Sequence, residues 1–114
     1  MLLDKKKYIA VIRFTEDLDV ENVLDLRAQI NRSTDETTRS YLIDLSGVEF
    51  LDSHGVGFFV SLLKKIHGRK GLLIFSGARD QPASVLNMVG FNSTLVTYCD
   101  SLLQARTLLE KEKG

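Results

Sequence analysis

Short runs rich in β-branched and aromatic residues alternate in this chain with segments whose apolar residues recur every three or four positions. That alternation limits the fold more than any other feature. Tyr8-Ile9-Ala10-Val11-Ile12-Arg13-Phe14 reads as a strand. Tyr41-Leu42-Ile43-Asp44-Leu45, closed by Ser46-Gly47, and Leu72-Leu73-Ile74-Phe75 read as buried strands. Between them, Val20, Val23, Leu24, Arg27 and Ile30 are spaced as one helix face behind Asp19, whose short side chain suits an N-cap. Val56, Phe59, Val60, Leu63, Ile66 and His67 mark a second helix. Pro82 suits the first turn of a third, which carries Val85, Leu86, Met88 and Val89 and ends at Gly90. A short strand around Leu95-Val96-Thr97 precedes a last helix, capped by Asp100 or Ser101, with Leu102, Leu103, Ala105, Leu108 and Leu109 as its stripe. Parallel neighbours need crossover connections, and helices supply them. The expectation is an α/β fold: one domain over 1–114, with a mostly parallel, mixed four- to five-stranded sheet and about four helices.

Composition removes several classes of function. The 114 residues fit a single core, and 44% hydrophobic with 26% charged residues is ordinary globular composition that argues against disorder. Fifteen basic side chains balance fifteen acidic ones, so no whole-molecule field draws the protein to nucleic acid or anionic lipid, which leaves room only for a local patch. Cys99 is the only cysteine, which precludes an intramolecular disulfide. Met1-Leu2-Leu3 precedes the charges Asp4-Lys5-Lys6-Lys7, the reverse of a secretory signal, and no run approaches the ~20 apolar residues of a membrane span. A cytoplasmic protein without membrane insertion is expected.

Asp52-Ser53-His54-Gly55-Val56-Gly57 lies where a strand hands over to a helix, the edge at which open α/β sheets place their ligands. Ser53 is placed to cap that helix, and on local grounds a serine there is structural. The same geometry admits a second reading, in which a phosphate on Ser53 meets free N–H groups and the positive end of the helix dipole. Gly55 and Gly57 leave backbone uncovered for the approach of another protein.

The run from Asp44 to Gly57, Asp-Leu-Ser-Gly-Val-Glu-Phe-Leu-Asp-Ser-His-Gly-Val-Gly, resembles the signature of STAS domains, the anti-sigma-factor antagonists and their relatives. Leu18-Asp19 before a helix, and Gly90-Phe91, extend the resemblance over nearly the whole chain. It implies a switch: the unphosphorylated domain binds an anti-sigma factor that is also a serine kinase, the kinase phosphorylates the serine matching Ser53, and a serine phosphatase resets it. Asp19 and Asp52 match acidic positions of the family pattern. A phosphoryl group adds about −1.5 to −2 charges beside Asp52, on a surface that must pack against its partner. Two departures stand out. His54 replaces the usual Ser or Thr, and is either a solvent-facing side chain or a partner for a phosphate on Ser53. Glu16 stands where the family has glycine.

Other chemistries find little support. Two histidines and one cysteine offer no metal-ligand spacing, no cofactor is expected, and a Gly-x-Ser-x-Gly elbow is missing, so the chain reads as a non-enzyme. Gly55-Val56-Gly57 lacks the rest of a nucleotide-binding fingerprint. Lys64, Lys65, His67, Arg69 and Lys70 form a basic helix end without aromatic readers, so direct nucleic-acid binding is not expected. Phe58 and Leu62 lie off the main stripe of their helix; they either pack against a neighbouring helix or form a partner-facing patch with Asp19, Asp52, Ser53, His54 and Gly55. The principal reading is a phosphorylation-switched antagonist, monomeric or weakly dimeric. The alternative is a non-catalytic STAS scaffold in a sensory or transporter-associated complex.

Overall fold

The computed structural model describes the backbone of residues 1–91 and 96–113 and the side chains of those residues up to 108. Leu95 and the side chain of Leu109 lie outside the described residues. The order is β1 (Leu2–Lys6), β2 (Ile9–Arg13), α1 (Val23–Ser33), β3 (Ser40–Asp44), α2 (Ser53–Ile66), β4 (Leu73–Ser76), α3 (Asp80–Met88), β5 (Thr97–Cys99) and α4 (Leu102–Lys113). One five-stranded sheet has the order β1-β2-β3-β4-β5, with β1 antiparallel to β2 and all later pairs parallel. The α/β architecture matches the expectation, and β1 is the strand that makes the sheet mixed.

Strand periodicity divides the core into two layers. Ala10, Ile12, Tyr41, Ile43, Leu73 and Phe75 face a large core shared with buried residues of α1, α2 and α3. Val11, Leu42 and Ile74 face the other way, against Ala105 of α4. Phe59 sits at the centre of the first layer, its ring 4.9 Å from that of Phe75 and 6.3 Å from that of Phe14. β3 and β4 are buried throughout, as interior strands of a parallel sheet must be.

Two helix faces differ from the sequence expectation. Asp19 caps a turn rather than α1: its Oδ1 accepts from the N–H groups of Glu21 and Asn22, and the helix begins at Val23. The buried face is then Val23, Leu26 and Ile30, leaving Val20 and Leu24 60% and 78% exposed. α2 buries Gly55, Phe58, Phe59, Leu62 and Ile66, while Val56, Val60 and Leu63 are half-buried and His67 is exposed. Its buried arc is rotated toward α1 because α2 packs on that helix as well as on the sheet.

Candidate functional site

All the parallel strands point their carboxyl ends toward one end of the molecule, and there the β2–α1 and β3–α2 loops are laced together. Leu18 N–H donates to the Phe50 carbonyl (3.0 Å) and Asp52 N–H to the Leu18 carbonyl (3.0 Å). Phe50 N–H donates to Asp17 Oδ1 at 3.2 Å. From the other side, Gln81 of α3 grips the main chain of Leu51 twice. Its Nε2 donates to the Leu51 carbonyl (2.9 Å) and its Oε1 accepts from the Leu51 N–H (2.8 Å). The segment entering α2 is therefore fixed by α3 on one flank and by the β2–α1 loop on the other.

Asp52, not Ser53, is the N-cap of α2. Its Oδ1 accepts from the N–H groups of His54 (2.7 Å) and Gly55 (3.4 Å), and its Oδ2 from Val20 N–H (3.1 Å). Desolvation pushes the Asp52 carboxyl up, but those three N–H donors and the nearby His54 imidazole outweigh it, so its pKa lies below the ordinary value. This corrects the expectation of a phosphate seated on the free N–H groups of the helix start. The Asp52 carboxylate already holds two of them, those of His54 and Gly55. Ser53 is the first residue of the helix and is exposed; its hydroxyl makes no hydrogen bond among the described residues.

His54 is exposed, with Nδ1 3.4 Å from Asp52 Oδ1. No hydrogen bond joins it to Ser53 among the described residues, so a nucleophile–base relay is not assembled there. Glu16 pairs with the Met1 amino group at 3.0 Å and accepts from Thr15 N–H at 3.0 Å.

The two glycines have separate roles. Gly55 is buried: a Cβ there would meet Leu51 Cδ1 at 2.3 Å and the Leu18 carbonyl oxygen at 2.8 Å. Its lack of a side chain lets α2 sit on the laced loops, not a partner on α2. Gly57 is exposed with nothing within 4 Å of a Cβ, and it lies one turn beyond Ser53 on the open side of the helix. Phe58 and Leu62 require a correction too. They are 1% and 0% exposed, with Phe58 stacked 5.4 Å beneath the guanidinium of Arg27, so they are core residues and cannot face a partner.

The apolar surface near Ser53 comes instead from residues that sequence reasoning had placed inside or passed over. Val20 is tied by its N–H to Asp52, Phe50 is 45% exposed, and Leu24 is the outermost member of a stripe continuing through Arg27 and Asn31. Arg27 covers Phe58, and Asn31 accepts from Lys65 Nζ (2.7 Å), so this stripe runs along the α1–α2 seam. Reading Asp19 as a turn cap would have started α1 at Val23 and exposed Leu24 from sequence alone.

The STAS domain family profile matches residues 1–105, and this chain belongs to that family. It is 27% identical over 79 residues to the anti-sigma-B factor antagonist of Staphylococcus aureus strain NCTC 8325 / PS 47, covering 69% of this chain and 73% of that one. The fold is that of an anti-sigma factor antagonist from Mycobacterium paratuberculosis (TM-score 0.81, 20% identity, 96% of this chain and 92% of that one). It is also that of the anti-sigma factor antagonist SpoIIAA in its unphosphorylated form (TM-score 0.74, 18% identity, 99% and 97%). Among the described residues, no helix is long and apolar enough to cross a membrane, and no cluster of three or more His, Cys, Asp or Glu side chains could hold a metal ion.

Proposed function

We propose that this STAS domain is an anti-sigma-factor antagonist, a binding module that engages an anti-sigma factor with serine-kinase activity and is released by phosphorylation of Ser53. The observation that carries the reading is the exposed Ser53 hydroxyl on a helix start where Asp52 already holds the N–H groups of His54 and Gly55. A phosphoryl group added there finds those two N–H groups occupied and the Asp52 carboxylate beside it. It stands between the domain and anything seated on Val20, Leu24 and Gly57, where its charge and hydration oppose close packing. Asp19 contributes by shaping the turn that presents Val20, and Asp52 by locking that turn to α2.

The kinase is recovered from source cells with Ser53→Ala as bait, then incubated with the wild-type domain and ATP, and the product is mapped by mass spectrometry. The reading predicts one phosphate on Ser53 and release of the complex. A kinase that modifies another residue, or a complex unchanged by Ser53 phosphorylation, contradicts it. A serine phosphatase that restores binding completes the cycle.

A further inference from the structure

The balanced charge conceals a strong segregation along the sheet. At the carboxyl end of the parallel strands stand Asp17, Asp19, Glu21, Glu49 and Asp52, around the exposed Val20, Leu24 and Phe50, with Arg13 and Arg79 as the cations among them. At the opposite end, where β2, β3 and β4 begin, stand Lys6, Lys7, Arg39, Lys64, Lys65 and Lys70, all exposed and outnumbering the two acids there, Asp35 and Glu36. The register places them there: Lys6 pairs with Ile9 at the start of β2, Arg39 N–H donates to the Tyr8 carbonyl (2.7 Å), and Lys64 and Lys65 occupy the last turn of α2. None of the six has a carboxylate within ion-pair distance among the described residues; the one bridge nearby, Lys5 to Asp35, involves neither them nor the acidic end. The basic end also has an apolar element, the 45% exposed Tyr8 with the Arg39 guanidinium 4.6 Å from its ring centre.

From this complementarity we propose that the basic end is a docking surface for the acidic end of a second copy of this chain, giving weak head-to-tail association that covers Ser53. Each molecule carries both halves of the contact at opposite ends, so the interface is heterologous and extends into short chains rather than closing as a two-fold dimer. Exposed charges attract across such a contact only over about a Debye length, ~10 Å at 0.1 M salt, so association is confined to low ionic strength and high protein concentration. Leu24 and Phe50 supply the apolar contact against Tyr8. The contact itself is independent of the antagonist reading; only its consequence, competition with a partner for the Ser53 end, rests on that reading.

The test is a dilution series of the full chain, followed by amide chemical shifts and sedimentation at about 20 mM and 300 mM salt. Concentration-dependent shifts should appear together at residues 19–24 and 50–54 and at residues 6–8, 39 and 64–70, and vanish at the higher salt. Two charge-reversed variants complete it: Glu21→Lys with Glu49→Lys, and Lys6→Glu with Lys64→Glu. Each alone should sediment as a 12.8 kDa monomer at all concentrations, and an equimolar mixture should associate again. Shifts at one end only, a monomer at millimolar concentration in low salt, or a mixture that stays monomeric would overturn the proposal. So would shifts at the basic end seen only on adding a polyanion such as an oligonucleotide.

Discussion

Gly55 and Gly57 lie two residues apart on α2, and the same substitution at each has opposite consequences. Alanine is favoured over glycine in a helix by ~1 kcal/mol, and that gain is nearly common to both sites. At Gly57 the new methyl meets nothing within 4 Å, so Gly57→Ala should stabilise by about 0.5–1 kcal/mol. At Gly55 it falls 2.3 Å from Leu51 Cδ1, 2.8 Å from the Leu18 carbonyl oxygen and 2.9 Å from Leu18 Cβ. Leu18 and Leu51 are fully buried, and the Leu18 carbonyl is held by the Asp52 N–H, so neither yields freely. Overpacking of this kind costs about 1–3 kcal/mol, and because the helix term nearly cancels, that range is also the expected gap between the two variants. Urea denaturation with matched m-values reads the gap directly. Gly55→Ala as stable as Gly57→Ala would refute the view that Gly55 serves internal packing. Gly57→Ala, though more stable, places a methyl on the open face beside Ser53 and should weaken partner affinity about tenfold, or ~1.4 kcal/mol.

Other consequences separate core from surface. Phe58→Ala should lose about 3–5 kcal/mol, whereas Leu24→Ala should change stability by under about 0.5 kcal/mol yet weaken partner binding, measured by denaturation and calorimetry on the same samples. Gln81→Ala removes both hydrogen bonds to Leu51 and should cost about 1–3 kcal/mol, with faster hydrogen exchange at the Leu51 amide. The Asp52 carboxyl has a folded pKa below its unfolded one, so its stabilisation is fully present above the unfolded value and is lost as pH falls through the folded value. Asp52→Ala should therefore be less stable than wild type by about 1 kcal/mol near neutrality, with the two converging in acid. The exposed Asp35, bonded by the Thr37 hydroxyl and N–H and by Lys5, has its pKa lowered to about 2; Thr37→Val should raise it in an NMR titration.

What the sequence disclosed and what it hid follow from how each feature is encoded. The interior strands were legible because β3 and β4 are buried on both sides and read as unbroken apolar runs. β1 was not: Leu2-Leu3-Asp4-Lys5-Lys6 is a half-exposed edge, whose lysines suit an edge strand but imitate a disordered terminus. The phase of α2 was ambiguous because apolar residues occupy both possible stripes; only the position of α1 decides that Phe58 and Leu62 go inside. The Asp52-Ser53 junction was legible as a helix start, but the division of labour was reversed, since serine and aspartate are equally good caps and spacing alone does not rank neighbours. The Gln81 clamp spans thirty residues and left no local trace.

The most direct test of the proposed switch is the affinity of the proposed anti-sigma-factor partner for the domain carrying either serine or phosphoserine at position 53, measured by calorimetry on chemically defined material. Expelling or desolvating a phosphate beside the fixed Asp52 carboxylate should weaken binding at least a hundredfold, about 2.7 kcal/mol. Equal affinities for the two forms would contradict the account, because Ser53 would then lie outside the surface that the partner covers.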